Sequence, residues 1–130
     1  MSKLAASLHP NLDPSHYPLV ALLAWRGPAR ISDLAEEFSL DKSTISRHVD
    51  SLTRLGLVER THDPDDARAR LVTLTPAGMH AVRQQQRARR KRLYETLSTW
   101  DADEIVELTR LLGKLSESQS HSAQVNEKDK

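Results

Sequence analysis

Residues 34–78 read LAEEFSLDKSTISRHVDSLTRLGLVERTHDPDDARARLVTLTPAG, and the fold is decided in this stretch. Ile31, just upstream, with Leu34, Ala35 and Phe38 falls at i, i+3, i+4 and i+7, the spacing of one helix face. Ser32 stands where an N-cap is expected. Residues 39–42 then separate this helix from a second. Asp41 is placed to cap the second helix, and Ile45, Val49 and Leu52 repeat along its inner side. Leu55 continues the stripe, and Gly56 supplies a left-handed stop. Two short helices across so tight a turn form a helix-turn-helix. Immediately afterwards the period drops from 3.6 to 2. Residues 57–60 and 71–75 read as strands, and residues 61–70, with Asp63, Pro64, Asp65 and Asp66, as the polar loop between them. The hairpin is a wing appended to the helix pair.

Working outward, residues 18–25 form an upstream helix. Pro18 suits its first turn, Leu19, Leu22 and Leu23 make its buried stripe, and Gly27-Pro28 ends it. Before it, Pro10 and Pro14 break the chain, while Leu4, Ala5 and Leu8 suggest a short amphipathic turn or two. Downstream, Thr75-Pro76 opens a helix that should run to about Leu97, with Met79, Val82, Leu93 and Leu97 loosely on one side. Its middle carries Arg83, Arg87, Arg89, Arg90, Lys91 and Arg92 without an acid. A solvated face accounts for these cations better than a second nucleic-acid patch does. Asp101 and Glu104 make a capping box for a last helix with Ile105, Leu108, Leu112 and Leu115 on its stripe. The polar tail after Leu115 is expected to be disordered. The expected organisation is a short N-terminal segment or linker (1–16), a winged helix-turn-helix domain (17–75), a long helix with a last C-terminal helix (76–115) and a tail (116–130). The fold class is mainly α with a small β-wing.

Composition removes several functions. With 19 Lys+Arg against 18 Asp+Glu, the net charge of +1 names no partner. Hydrophobic content of 38% with only 4% aromatics disfavours a compact enzyme with a deep core. The absence of cysteine excludes disulfides, thiolate metal sites and cysteine nucleophiles. No P-loop, G-x-G-x-x-G, G-x-S-x-G or H-E-x-x-H occurs, so no enzyme, cofactor or metal is expected. His9, His16, His48, His62, His80 and His121 form no i, i+4 pair on an expected helix. The longest apolar run, residues 19–25, is too short to span a bilayer. Lys3 is followed by no apolar stretch before Pro10, so no secretory signal is read and a cytoplasmic location is expected.

The chemistry lies on the outward face of the second helix of the pair. Opposite its apolar stripe stand Ser43, Arg47, Asp50 and Arg54, flanked by Thr44 and Ser46. Small hydroxyls near a helix N-terminus permit close approach to a groove and can hold a phosphate. An arginine such as Arg47 can pair with O6 and N7 of guanine. On this helix alone, an ordinary solvated side explains the same residues. The hairpin adds Arg68 and Arg70, two positions apart and so on one face in extended chain. An arginine at a ribbon tip can enter a minor groove, and Asp66 is placed to orient Arg68.

Residues 34–78 resemble the multiple-antibiotic-resistance regulator (MarR) family of winged-helix transcription factors. The likeness is carried by the DKSTISR run at residues 41–47 and by Asp66, Arg68, Leu74, Thr75 and Gly78. It extends over about residues 17–115. It implies a bacterial or archaeal homodimer on double-stranded DNA, with residues 1–16 as a dimerisation segment or linker and the last helix of 76–115 as a dimerisation helix. It also implies recognition helix 42–55 in the major groove and wing 61–70 in the minor groove, most often as a repressor on a pseudo-palindromic operator. By that match Ser43, Thr44, Ser46 and Arg47 contact bases or phosphates, and Arg68 is the wing-tip arginine. Lys42, Arg54, Asp66 and Arg70 complete the expected DNA-binding set. Ser39 departs from the glycine frequent at its turn position, and the segment before Tyr17 is shorter than the family's first helix. The resemblance also implies a small aromatic or anionic effector, for which His16, Tyr17 and Trp25 are candidates; a core role for Tyr17 and Trp25 is the simpler alternative. A winged-helix protein–protein module is the rival function, but it calls for an apolar outward face that Ser43, Ser46, Arg47 and Arg54 do not provide.

Overall fold

The computed structural model describes the backbone of residues 2–128 and the side chains of residues 2–120. The chain divides into two compact units, Met1–Ala88 and Arg89–Lys130.

The first unit opens with α1 (Ser2–Leu8), a 3-10 turn (Pro14–His16) and α2 (Tyr17–Arg26). Next come β1 (Ala29–Arg30), α3 (Ile31–Phe38), α4 (Lys42–Arg54), β2 (Val58–Asp63) and β3 (Asp66–Leu74). The strands make one antiparallel sheet in the order β1-β3-β2. Beyond it α5 (Pro76–Leu97) begins in this unit and ends in the next. Leu34, Ile45, Val49 and Leu52 of the helix pair are buried together with Val20 of α2, Val58 and Val72. This is the apolar stripe expected from the helical spacing, closed by the sheet. Asp41 caps α4 by accepting the Thr44 N–H at 2.8 Å. Thr75 caps α5, its Oγ1 accepting the Gly78 N–H at 2.9 Å. Ser39, in the turn between α3 and α4, adopts the left-handed conformation at φ 53°, which explains why glycine suits that position.

Three expectations are corrected here. The N-cap of α3 is Arg30 and not Ser32, because Arg30 is held extended by pairing with Leu71 across β1 and β3, so the helix starts at Ile31, two residues earlier than a Ser32 cap would place it. The wing is strand almost throughout: its expected loop, residues 61–70, contracts to a turn at Pro64 and Asp65. Backbone pairing carries these polar residues, of which His62, Arg68 and Arg70 are exposed and only Asp63 is buried. Residues 1–16 contribute Ala5, Leu8 and Leu12 to the core of this unit. The boundary expected at residues 75/76 lies at 88/89, because Gly78, Val82 and Gln85 of α5 are buried in the first unit.

Gln85 is the polar tie there. Its amide donates to the Leu4 carbonyl at 2.8 Å and to Ser7 Oγ at 2.7 Å, and its oxygen accepts the Tyr17 hydroxyl at 3.0 Å. One side chain thus joins α5 to α1 and to the start of α2.

The second unit contains the end of α5 and α6 (Ala102–Lys128). As the capping box requires, the Glu104 carboxylate accepts the Asp101 N–H at 3.0 Å. The last helix continues through Lys128, past the expected end at Leu115, which corrects the disordered tail over residues 116–128; residues 129–130 lie outside the described residues. No proline interrupts this segment, and the Ser118 and Ser120 hydroxyls bond to the carbonyls one turn back, at 2.9 and 3.1 Å. Leu93, Tyr94, Trp100, Val106, Leu111, Leu112 and Leu115 are exposed on this unit.

Candidate nucleic-acid interface

The outward face of α4 is as its spacing dictates. Lys42, Ser43, Arg47 and Arg54 are exposed, and Thr44 and Ser46 half-buried beside them. The Thr44 hydroxyl and N–H hold the Asp41 carboxyl below the usual carboxylate range, so the cap stays ionised at the helix start. Arg47 Nη2 lies 3.3 Å from Thr44 Oγ1, and Arg54 Nη2 donates to Ser51 Oγ at 3.1 Å. Both guanidinium groups therefore lie along the helix, with further N–H donors available to a ligand on that face.

Arg68 and Arg70 are exposed on β3. His62 pairs with Arg70 but Asp63 with Asp66, so the register shifts between them and Ala67, Arg68 and Ala69 have no opposing residue. Such a bulge re-aims the side chains it carries, and Arg68 sits at its middle. Asp66 does not orient the Arg68 guanidinium as expected. Its Oδ1 accepts the Arg68 backbone N–H at 3.0 Å and shapes the chain instead.

Two further arginines, absent from the expected set, complete the surface. Arg60 of β2 reaches α4, where its Nη2 donates to Asp50 Oδ1 at 2.8 Å and approaches Ser46 Oγ at 3.4 Å. Arg30 donates from Nε to Asp63 Oδ2 at 2.8 Å. The Asp65 N–H, reinforced by the Arg30 guanidinium, holds the Asp63 carboxyl below its usual range. Arg30, Lys42, Arg60, Arg68 and Arg70 line one open cleft, which has Ser32 but no carboxylate-bearing residue among its lining side chains. Neither Arg30 nor Arg60 carries a periodicity signal, since their partners lie 33 and 10 residues away in sequence.

Of the three candidate effector residues, Trp25 lies away from the adjacent His16 and Tyr17. Tyr17 is buried with its hydroxyl on Gln85, while Trp25, at the other end of α2, is 85% exposed. His16 meets His48 of α4, ring centroids 4.3 Å apart. A small recess of about 60 Å³ lies beside His48, between Pro18, Leu19, Phe38, Leu40 and Ile45, and none of the three lines it. Among the described residues, no group of three or more His, Cys, Asp or Glu is placed to hold a metal ion, and no helix is long and apolar enough to cross a membrane.

A model of the MarR family matches residues 12–69. The chain is 37% identical over 106 residues to the uncharacterized HTH-type transcriptional regulator YxaD of Bacillus subtilis, covering 82% of this chain and 74% of that one. The chain belongs to the MarR family. Among solved structures, RV1404 from Mycobacterium tuberculosis superposes with a TM-score of 0.75 at 26% identity, covering 88% of this chain and 79% of the other. Wild-type apo MarR from E. coli superposes with a TM-score of 0.60 at 27% identity, covering 86% and 84%. Membership makes the chain a DNA-binding transcriptional regulator with a winged-helix fold, and not an enzyme.

Proposed function

We propose that this regulator is a homodimeric repressor, with α4 in the major groove of a pseudo-palindromic operator and the β2–β3 wing over the flanking minor groove. One observation carries the reading: the surface of the first unit presents Ser43, Arg47 and Arg54 on the outward face of α4, and the wing arginines line, with Arg30 and Lys42, a cleft with no carboxylate among its lining side chains. On it Lys42, Arg60 and Arg70 suit phosphates, Arg47 a base edge and Arg68 the minor groove. The protein–protein alternative is disfavoured, since this face presents no apolar patch to a partner. Dimerisation is supported by the large apolar side chains exposed on the second unit, which a solitary soluble helix pair would not present. Two-fold pairing places the half-sites about one helical turn apart, roughly 34–36 Å. DNA occupancy places the protein in the cytoplasm of a prokaryotic cell. An effector site is not part of this reading, because Trp25 stands exposed at the opposite end of α2 from His16 and Tyr17.

The test is an electrophoretic shift on the chain's own upstream promoter, with salt titration and competitor DNA. Arg47→Ala and Arg68→Ala should each weaken specific binding by about 1–3 kcal/mol. Parental affinity in both variants at matched salt would remove the site assignment.

A further inference from the structure

Asp63 stands where the wing's pairing slips, and it is only 7% exposed. One carboxylate oxygen accepts the Asp65 N–H at 2.9 Å and closes the turn at the tip. The other accepts Arg30 Nε at 2.8 Å, and the Arg30 Nη2 group also meets it. Arg30 is the residue from which α3 springs, so this pair joins the wing's turn to the first helix of the helix-turn-helix. Sheet pairing does not secure that relation. β1 is only two residues long and meets β3 at Leu71 and Val72, well short of the tip. Nor does Arg60 secure it, since it ties the root of the wing, at the start of β2, to α4.

We propose that Arg30 and Asp63 are positioning residues for DNA recognition: they pin the outer half of the wing against the helix-turn-helix and so determine where the Arg68 guanidinium is presented relative to α4. A two-stranded ribbon bends readily on its own. A planar guanidinium with two N–H groups on a buried carboxylate restricts both distance and direction. Without the pair, the turn keeps the Asp65 N–H bond but the ribbon loses its attachment to α3. Arg68 then samples many positions, and the ordering cost returns on binding. Arg30 serves the cleft as well, where its charge is partly neutralised by Asp63. Neutralising Asp63 therefore frees a cation beside DNA, and simple electrostatics predicts tighter binding where the pin predicts weaker binding.

This inference rests on the wing contact proposed above, and the experiment separates the two. The probe is a duplex selected by the wild-type protein from a randomised pool. D63N should lower affinity roughly tenfold or more, as R68A does on the scale of one lost groove contact, and D63N/R68A should fall no further than either alone. Hydroxyl-radical footprinting of D63N should lose the flanking minor-groove protection and retain the α4 footprint, a split that general loss of structure does not produce. R30K, which keeps the charge and one donor, should recover part of the loss seen in R30Q. If D63N does not melt cooperatively, R30Q takes its place in the cycle. Wild-type or tighter binding by D63N and R30Q, with R68A weakened, overturns the pin and leaves the wing contact standing. Equal binding by R68A and wild type overturns the wing contact, and the pin with it.

Discussion

Gly78 shows how a single position can be constrained by backbone rather than by its partners' side chains. Its N–H closes the Thr75 cap, and a Cβ added there would overlap the Leu57 carbonyl group. That carbonyl is itself committed, accepting the Thr75 N–H at 3.0 Å, so it cannot retreat without opening the junction between wing and α5. Gly78→Ala should therefore destabilise the first unit by at least the about 1–3 kcal/mol typical of overpacking, despite better helix propensity. Thermal unfolding checks this, and an unchanged midpoint would show that the junction adapts. The sequence marked Gly78 through the family motif, but the steric reason lies 21 residues upstream, at Leu57. Asp66 teaches the converse. Its spacing from Arg68 was legible, yet the carboxylate accepts the Arg68 backbone N–H, at the place where the register of the wing shifts.

Among the elements, the 3-10 turn and α4 meet through His16 and His48. Burial pushes the His16 pKa down, His48 adds to the shift, and Asp13 opposes it. Asp13 accepts both the N–H and hydroxyl of Ser15, and its own carboxyl is held below its usual range chiefly by the Ser15 N–H. For His16 the folded-state value is thus below the unfolded one, about 6.5. The unfolded chain binds the proton more readily, so stability is fully present above pH 6.5 and declines as pH falls through the folded-state value. The melting midpoint should drop between pH 7.5 and 5.5, and His16→Gln should flatten that slope. The same slope in the variant would assign it to other groups. Element boundaries followed a similar logic. Caps at Asp41, Thr75 and Asp101 were readable because their partners are local. The start of α3 and the length of the wing were not, because strand pairing with distant residues sets both.

For the whole molecule, the second unit's exposed apolar side chains carry the proposed dimer. Leu112 and Leu115, 54% and 55% exposed, lie three residues apart on one face of α6. Replacing both with Glu should convert a dimer to a monomer in sedimentation velocity and reduce operator affinity sharply, while the first unit melts as before. A variant that still sediments as a dimer would place the interface elsewhere. What the amino-acid order determined by itself is the local part: helix faces, three caps, the hairpin and the hydroxyl-and-arginine face of α4, all written in contacts within about one or two turns of chain. The tertiary structure alone decided that Arg30 grips Asp63, that Arg60 reaches Asp50, that Gln85 ties α5 to α1, and that Tyr17 is buried while Trp25 is open. These depend on which segments fold against one another. Side-chain periodicity records that a face is buried, but not which distant polar group awaits it there.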